Sequence, residues 1–595
     1  MNKAAPTDDV AEGTAWELTE VRDGMIIDWD VPIRMDDGIV LRADVFRPRG
    51  GGTHPVILSY GPYGKWLSFQ EGYSTAWEIM ARVHPDALAG SSDKYQSWEV
   101  ADPEKWVPDG YALVRVDSRG AGRSPGFLDP FCPRETADLA QCIEWAGVQP
   151  WSNGKVGLNG ISYYAINAWQ VAVLQPPHLA AICAWEGASD WYREKNHHGG
   201  ILCTFQANWY DMQVKPLQHG HGVRGARSPI HGGLVCGPET LPEEELARLR
   251  CDFGEEIFSH PLDDTYHRAR SVDWSRVVVP LLSAANWGGN GLHLRGNIEG
   301  FVNAASKQKW LEVHGGHHWT GFYTDYGVAL QKRFFGHFLK GEDTGWSRQP
   351  AVQLQIRAPA EKFTLRHESE WPLDRAKWTR YNLDLPRRAL TERGTASGTV
   401  AFEALDEGVR FLAEPATEEF EITGPIAARL AISSSTTDAD LFLIVQLFDP
   451  DGKEVIFQGA LDPNTPIAQG WLRASHRKLD PARSLPWRPF HPHDERRPLQ
   501  PGEIVSLDIE IWPTCIVVPR GYRIGLWVRG KDYVYEGGNA LKLSNMKNAF
   551  NGCGPFLHDD PRDRPPELFG GITTIHASLD HENFLLLPLV PPTSR

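Results

Sequence analysis

The stretch Gly157-Leu-Asn-Gly-Ile-Ser-Tyr-Tyr-Ala-Ile-Asn-Ala-Trp169 places Ser162 between a short apolar strand and a helix-forming run that Gln175-Pro-Pro177 stops. A serine between strand and helix has the form of a nucleophile elbow, a turn so tight that the serine takes strained backbone angles and lifts its Oγ clear of the sheet. Such a turn needs small neighbours; Gly160 and Ala165 supply them, while Tyr164 stands where the usual second glycine would be. Taken alone, Gly160-Ile-Ser162 also fits an ordinary strand-to-helix turn.

Working outward, strands and helices alternate on both sides of the elbow. Val31 to Phe46 alternates around Asp37-Gly38 and reads as a β-hairpin. Pro55–Tyr60 and Tyr111–Val116 read as buried strands, Glu135–Ala146 as an amphipathic helix, and Leu179–Trp185, Val277–Ser283 and Lys309–Val313 as later strands. A helix from about Gly327 to Leu339 closes the unit. This alternation predicts a parallel sheet covered by helices on both faces. Residues 191–272 interrupt the rhythm and are expected to form a cap, flanked by segments 25–190 and 273–345 of the α/β unit. Residues 1–24 read as a loose arm. Beyond residue 345 short alternating strands dominate, among them Val352–Ile356, Ala427–Ile432 and Leu441–Leu447, and predict a C-terminal β-sandwich or jelly roll over 346–595. The Pro- and His-rich run 486–501 reads as a surface loop.

Bulk properties exclude several classes. The chain has 595 residues, enough for two or three domains. Its formal charge of −16 is distributed, which argues against nucleic acid or an anionic membrane as partner. No run approaches the roughly 18 apolar residues of a membrane helix. Eight scattered cysteines without a Cys-x-x-Cys pair, and an N-terminus with no apolar leader, predict a reduced cytoplasmic protein. A homo-oligomer is left open.

Several stretches together resemble the cocaine esterase and X-Pro dipeptidyl-peptidase group of serine hydrolases, which also includes α-amino-acid ester hydrolases. They are Gly61-Pro-Tyr-Gly-Lys65, Asp117-Ser-Arg-Gly-Ala-Gly-Arg-Ser124, Gly160-Ile-Ser-Tyr163, Phe334-Phe-Gly-His-Phe-Leu-Lys-Gly341, Gly470-Trp-Leu-Arg-Ala-Ser-His-Arg477 and Asp508-Ile-Glu-Ile-Trp-Pro513. The resemblance runs from about residue 28 to 545. It implies an α/β-hydrolase fold with a helical cap and a C-terminal jelly roll. The implied activity is that of a serine hydrolase cleaving a carboxylic ester or lactone, or an amide, through an acyl-enzyme. In place of the family's glycine three residues past the serine stands Ala165. The loop after Ser283, where the family keeps its catalytic aspartate, reads Trp287-Gly-Gly-Asn290 and offers no carboxylate.

A serine hydroxyl becomes a useful nucleophile when an imidazole removes its proton, and the imidazolium needs an acceptor on its other nitrogen. Counted against the family pattern, His318 takes the base position, with His317 and His314 as alternatives. For the acid, Glu186 lies directly after the strand ending at Trp185, a site some lipases and lactonases use, and Asp190 is the alternative. Asn290 could orient an imidazole without neutralising it. The resemblance also implies an oxyanion hole from the Tyr63 hydroxyl and the Tyr163 amide. Asp117 and Arg119 are read as a loop-bracing ion pair. Trp287, Trp191 and Tyr192 are expected at the substrate, with Phe205, Trp209 and Tyr210, which suggests an apolar or aromatic group on a small molecule. No metal or organic cofactor is expected; the pairs His197-His198, His219/His221 and His491/His493 lack matched ligand spacing and read as loop residues. Three competing readings share these residues: an acyltransferase, an X-Pro or α-aminoacyl peptidase, and a catalytically silent ligand-binding protein.

Overall fold

The computed structural model describes residues 18–394 and 396–591. The expected arm therefore falls mostly outside the described residues, but its end, β1 (Leu18–Arg22), is already a strand. β1 pairs antiparallel with β2 (Met25–Arg34), and β2 with β3 (Val40–Pro48), around the expected Asp37-Gly38 turn. The remaining strands of this sheet are β4 (His54–Gly61), β5 (Ala112–Asp117), β6 (Ser152–Ile161), β7 (Leu179–Trp185), β8 (Leu281–Asn286), β9 (Lys309–His314), β10 (Val352–Ala358) and β11 (Lys362–Glu368). In space they run β1-β2-β3-β5-β4-β6-β7-β8-β9-β10-β11. Neighbours from β5 to β10 are parallel, as the alternating pattern requires.

One boundary moves. The strand at Val352, expected in the C-terminal domain, adds parallel to β9 and extends the hydrolase sheet. Its β-type alternation is equally at home in either sheet, and composition alone cannot distinguish them.

Helices α1 (Pro133–Gly147), α2 (Tyr163–Ala172), α3 (Leu294–Asn303) and α4 (Asp325–Phe335) flank the sheet. Leu139, Ile143 and Ala146 of α1 pack with Ala168, Trp169 and Val171 of α2 on one face. The other face carries an aromatic-rich core that reaches into the cap, including Tyr63, Trp98, Phe131 and Trp209.

From Lys377 onward a second set of strands closes on itself. Phe420–Ser434 pairs on one side with Val505–Val518 and on the other with Phe584–Val590, so the sheet forms a flattened barrel. Its interior is aliphatic, with Leu441, Leu443, Val445, Leu507, Ile509 and Leu526 fully buried. The run at 486–501 is not a free surface loop: His491 and His493 are buried, and the His491 carbonyl accepts from Arg193 of the cap.

Candidate active site

Ser162 sits at φ 54°, ψ −106°, between β6 and α2. A non-glycine residue there stores strain of about 1–3 kcal/mol. The turn is held by the Ser162 amide, which donates to the carbonyls of Trp185 (3.0 Å) and Glu186 (3.2 Å). At Gly160 a Cβ would lie 2.5 Å from that of Tyr164, so the small residue before the serine is a steric necessity. Tyr164 itself is tolerated because its ring lies over Gly61, where a Cβ would meet the ring at 2.8 Å.

Glu186 and Glu99 also take positive φ, 49° and 64°. Each is thereby turned inward at the rim of the sheet, and the Glu99 carbonyl accepts from the Ile161 amide of the elbow strand at 3.0 Å. Behind the serine lies a continuous run of alternating carboxylates and imidazoles. Glu312 bonds His314 Nδ1 (2.7 Å), His314 Nε2 bonds Glu186 (3.0 Å), Glu186 bonds His318 Nδ1 (2.8 Å), and His318 Nε2 bonds Glu99 (2.9 Å). Ionised carboxylates only accept, so with these carboxyls ionised both nitrogens of His314 and of His318 donate and both rings are imidazolium. Burial opposes those charges, but the flanking carboxylates outweigh it and lift each ring to about 10. Burial would raise Glu186 too, yet His318 and His314 pull it well below the ordinary carboxylate range. At Glu99 burial wins over the pull of His318 and Trp98, and the carboxyl is pushed up.

The imidazole within reach of Ser162 is His293, whose Nε2 is 3.1 Å from Oγ. His293 lies in the loop between β8 and α3, and its ring is parallel to that of His318, with centroids 5.0 Å apart. Burial and then the positive His318 drive its basicity down, so it is neutral and can accept the serine proton. Glu186 thus stands against His318 as the sequence reading placed it, but His318 faces Glu99 where Ser162 was expected. His293 was overlooked because only carboxylates were sought in the loop after β8, and Glu99 because nothing in Trp98-Glu-Val100 marks it.

The other expected residues divide. Tyr63 accepts a hydrogen bond from Trp209 Nε1 (3.1 Å), which leaves its own proton available; burial, with Glu99 nearby, raises it well above the ordinary phenol, so it remains a donor. The Tyr163 amide begins α2, where helix N–H groups lack internal acceptors, and its hydroxyl donates to Glu135 (2.6 Å). Asp190 caps the turn Trp191–Asn196 and pairs with Arg193 at 2.8 Å, so it serves structure. Trp287 is fully buried and donates to the Gln355 carbonyl. Tyr192 donates to the Pro261 carbonyl. Neither they nor Trp191 line the cavity at Ser162, and their aromatic bulk serves the core. Asp117 and Arg119 brace loops with different partners: Asp117 accepts from the Lys65 and Arg123 amides, whereas Arg119 pairs with Asp138. His317 is buried away from Ser162, outside the lining of its cavity, with its ring 5.1 Å from that of Trp319.

The cavity over Ser162 holds about 510 Å³ of atom-free space, part of it open to solvent. Tyr63, Trp98 and Phe131 come from the hydrolase core, Lys195, Phe205 and Trp209 from the cap, and Leu461 and Asn545 from the C-terminal region. Lys195 is buried beside the rings of Phe131 (4.1 Å) and Trp191 (4.3 Å), and burial drives its ammonium well below the ordinary lysine range. The C-terminal region also fixes the catalytic loops: the His318 amide donates to Ala460 (2.8 Å), and the Ala460 amide donates to Gly288 (3.1 Å). Glu186, His293 and His318 bring ligand atoms within 4.8 Å of one another. Both Glu186 oxygens and both His318 nitrogens are already committed to each other or to His314 and Glu99, so this cluster is complete without a cation.

Residues 37–320 match the X-Pro dipeptidyl-peptidase (S15) family model, and 344–542 the X-Pro dipeptidyl-peptidase C-terminal non-catalytic domain. A CocE/NonD family hydrolase from Staphylococcus aureus superposes with a TM-score of 0.82 at 30% identity, covering 99% of each chain. Cocaine esterase of Rhodococcus is 25% identical over 94% of this chain and 98% of its own. An α-amino-acid ester hydrolase shares the fold, at 14% identity and a TM-score of 0.65, with 98% of this chain and all of that one (100%) covered.

Proposed function

The chain belongs to the CocE/NonD and X-Pro dipeptidyl-peptidase (S15) family and is a serine hydrolase of small molecules, and on that premise we propose that it is a carboxylesterase with Ser162 as nucleophile and His293 as its base. The observation that carries this reading is the 3.1 Å contact between Oγ and His293 Nε2 at the strained elbow. Ser162 attacks the ester carbonyl as its proton passes to Nε2. The oxyanion receives hydrogen bonds from the Tyr63 hydroxyl and the Tyr163 amide. The alcohol leaves with the proton from His293, and water, deprotonated by the same nitrogen, releases the acid.

A protonated His293 would lie against the imidazolium of His318 and needs a counter-charge. Glu99, which lines the same cavity, and Glu186 flank His318 on its two ring nitrogens and supply that counter-charge when ionised. The pair His318–Glu186 therefore acts as support behind the base. An aromatic or apolar group on the substrate suits Tyr63, Trp98, Phe131, Phe205 and Trp209. The eight unpaired cysteines support a reducing, cytoplasmic setting, and no described helix is long and apolar enough to cross a membrane.

A peptidase needs an acid free to hold the substrate's α-ammonium. Glu99 is the carboxylate in the cavity, and it is bonded to His318. Side-by-side hydrolysis of p-nitrophenyl butyrate, p-nitrophenyl benzoate and Ala-Pro-p-nitroanilide tests the assignment. Turnover of the esters with an acyl-enzyme burst that Ser162→Ala removes is expected; turnover confined to the anilide would replace esterase by dipeptidyl-peptidase.

A further inference from the structure

We propose that His198, Cys203 and His558 form a site for a thiophilic divalent cation, zinc by its donor set, that fastens the cap to the C-terminal region. The three side chains are buried, and their ligand atoms lie within 4.8 Å of one another.

The hydrogen bonds around them carry the argument. His198 Nε2 faces the Glu194 carbonyl at 3.3 Å, and His558 Nδ1 faces Asp532 at 2.7 Å. Both partners can only accept, so these outer nitrogens bear the protons. In the neutral rings the inner nitrogens, His198 Nδ1 and His558 Nε2, are then bare lone pairs, and they point at each other across 2.9 Å. Two lone pairs at that distance repel unless a cation lies between them. That cation is either an extra proton or a metal. Cys203 beside the pair makes metal the chemically complete answer, because two imidazoles and a thiolate are zinc ligands and a carboxylate or carbonyl on the far nitrogen is the usual support.

The surroundings agree. The Phe205 amide faces the Cys203 sulfur and Cys553 is close enough to act electrostatically on it; burial holds the free thiol protonated, so the thiolate forms as the cation binds. The two chain segments are bonded directly, Thr204 N–H donating to the Leu557 carbonyl at 2.8 Å. Cys203 also lines an outer cleft, which gives a cation a route to the site. At zinc–nitrogen bonds of about 2.0–2.1 Å, tetrahedral ligation sets the nitrogens ~3.3 Å apart, so the pair must open by about 0.4 Å. Binding displaces the thiol proton and any proton shared by the imidazoles to solvent.

The test uses the full chain, stripped with a chelator, incubated with excess zinc, desalted and assayed for metal, with cobalt(II) loading followed by absorption spectroscopy. About one zinc per chain is expected, together with a thiolate-to-cobalt charge-transfer band; Cys203→Ser should remove the band, and His558→Ala should cut zinc retention at least ~10-fold. Melting of the wild-type chain with and without zinc gives a readout that needs no variant to fold, and a zinc-dependent rise is expected. Zinc retention below about one tenth per chain, or retention and cobalt spectra unchanged in both variants, would overturn the site and leave a proton shared by two histidines.

Discussion

Two buried histidine assemblies show how partners decide charge. Beside Ser162 the imidazoles alternate with carboxylates, and His314 and His318 are lifted to about 10. At the junction of cap and C-terminal region the imidazoles face one another, and burial, reinforced by His558, lowers His198 to about 3. Burial pushes both assemblies in one direction; an anion on each ring nitrogen reverses it in the first alone. His293 belongs to neither pattern. It touches Ser162 on one side and stacks on a charged ring on the other; burial, and then that charge, keep it neutral and ready as a base.

The largest effect should come from Ser162→Ala, with ester turnover falling to the uncatalysed background while circular dichroism and melting stay near wild type. Glu186→Gln breaks the alternating run at its centre and should lower kcat on the order of 10³-fold. Unchanged kcat would show that the run behind His293 has no catalytic role. Tyr63→Phe, which deletes one oxyanion donor, should lower kcat about 100-fold with KM little altered.

The same contrast predicts pH behaviour. His314 and His318 have folded-state values raised to about 10 from 6.5, so the stability they contribute is complete below about pH 6.5 and is lost as pH rises through 10. Glu186 is depressed, so its contribution holds above about 4.5 and falls away in acid. Melting temperature should therefore decline from neutral pH toward pH 10, and Glu186→Gln should flatten that decline. A wild-type profile flat between pH 7 and 10 would mean the rings are not charged. The smallest effects belong to residues moved out of the site: Asp190→Asn should leave ester kcat within about 3-fold of wild type while lowering stability by about 2 kcal/mol, because the amide oxygen still caps Trp191–Asn196 but no longer neutralises the buried Arg193.

Much of the fold could be read from periodicity. The β7 strand has the predicted bounds, and the hairpin around Asp37-Gly38, the elbow at Ser162 and the closing helix lie where local chemistry placed them. What could not be read is long-range. Val352–Ala358 joins the hydrolase sheet because β9 offers it an open edge, a fact outside its own residues. At the site, Ser162 and Glu186 were legible because each follows a strand of the parallel sheet, where side chains converge at the carboxyl ends. His293 and Glu99 come from loops whose course depends on packing against the cap and Ala460. Trp287, Trp191 and Tyr192 misled because aromatic side chains serve cores as readily as pockets.

The most direct test is the pre-steady-state burst of p-nitrophenol in His293→Ala, assayed with and without added imidazole. If His293 is the base, the burst rate falls by on the order of 10³ or more, exogenous imidazole restores part of it, and wild-type melting is retained. A His293→Ala enzyme that acylates at the wild-type rate, while His318→Gln cannot acylate at all, would return the base to His318 and contradict the account.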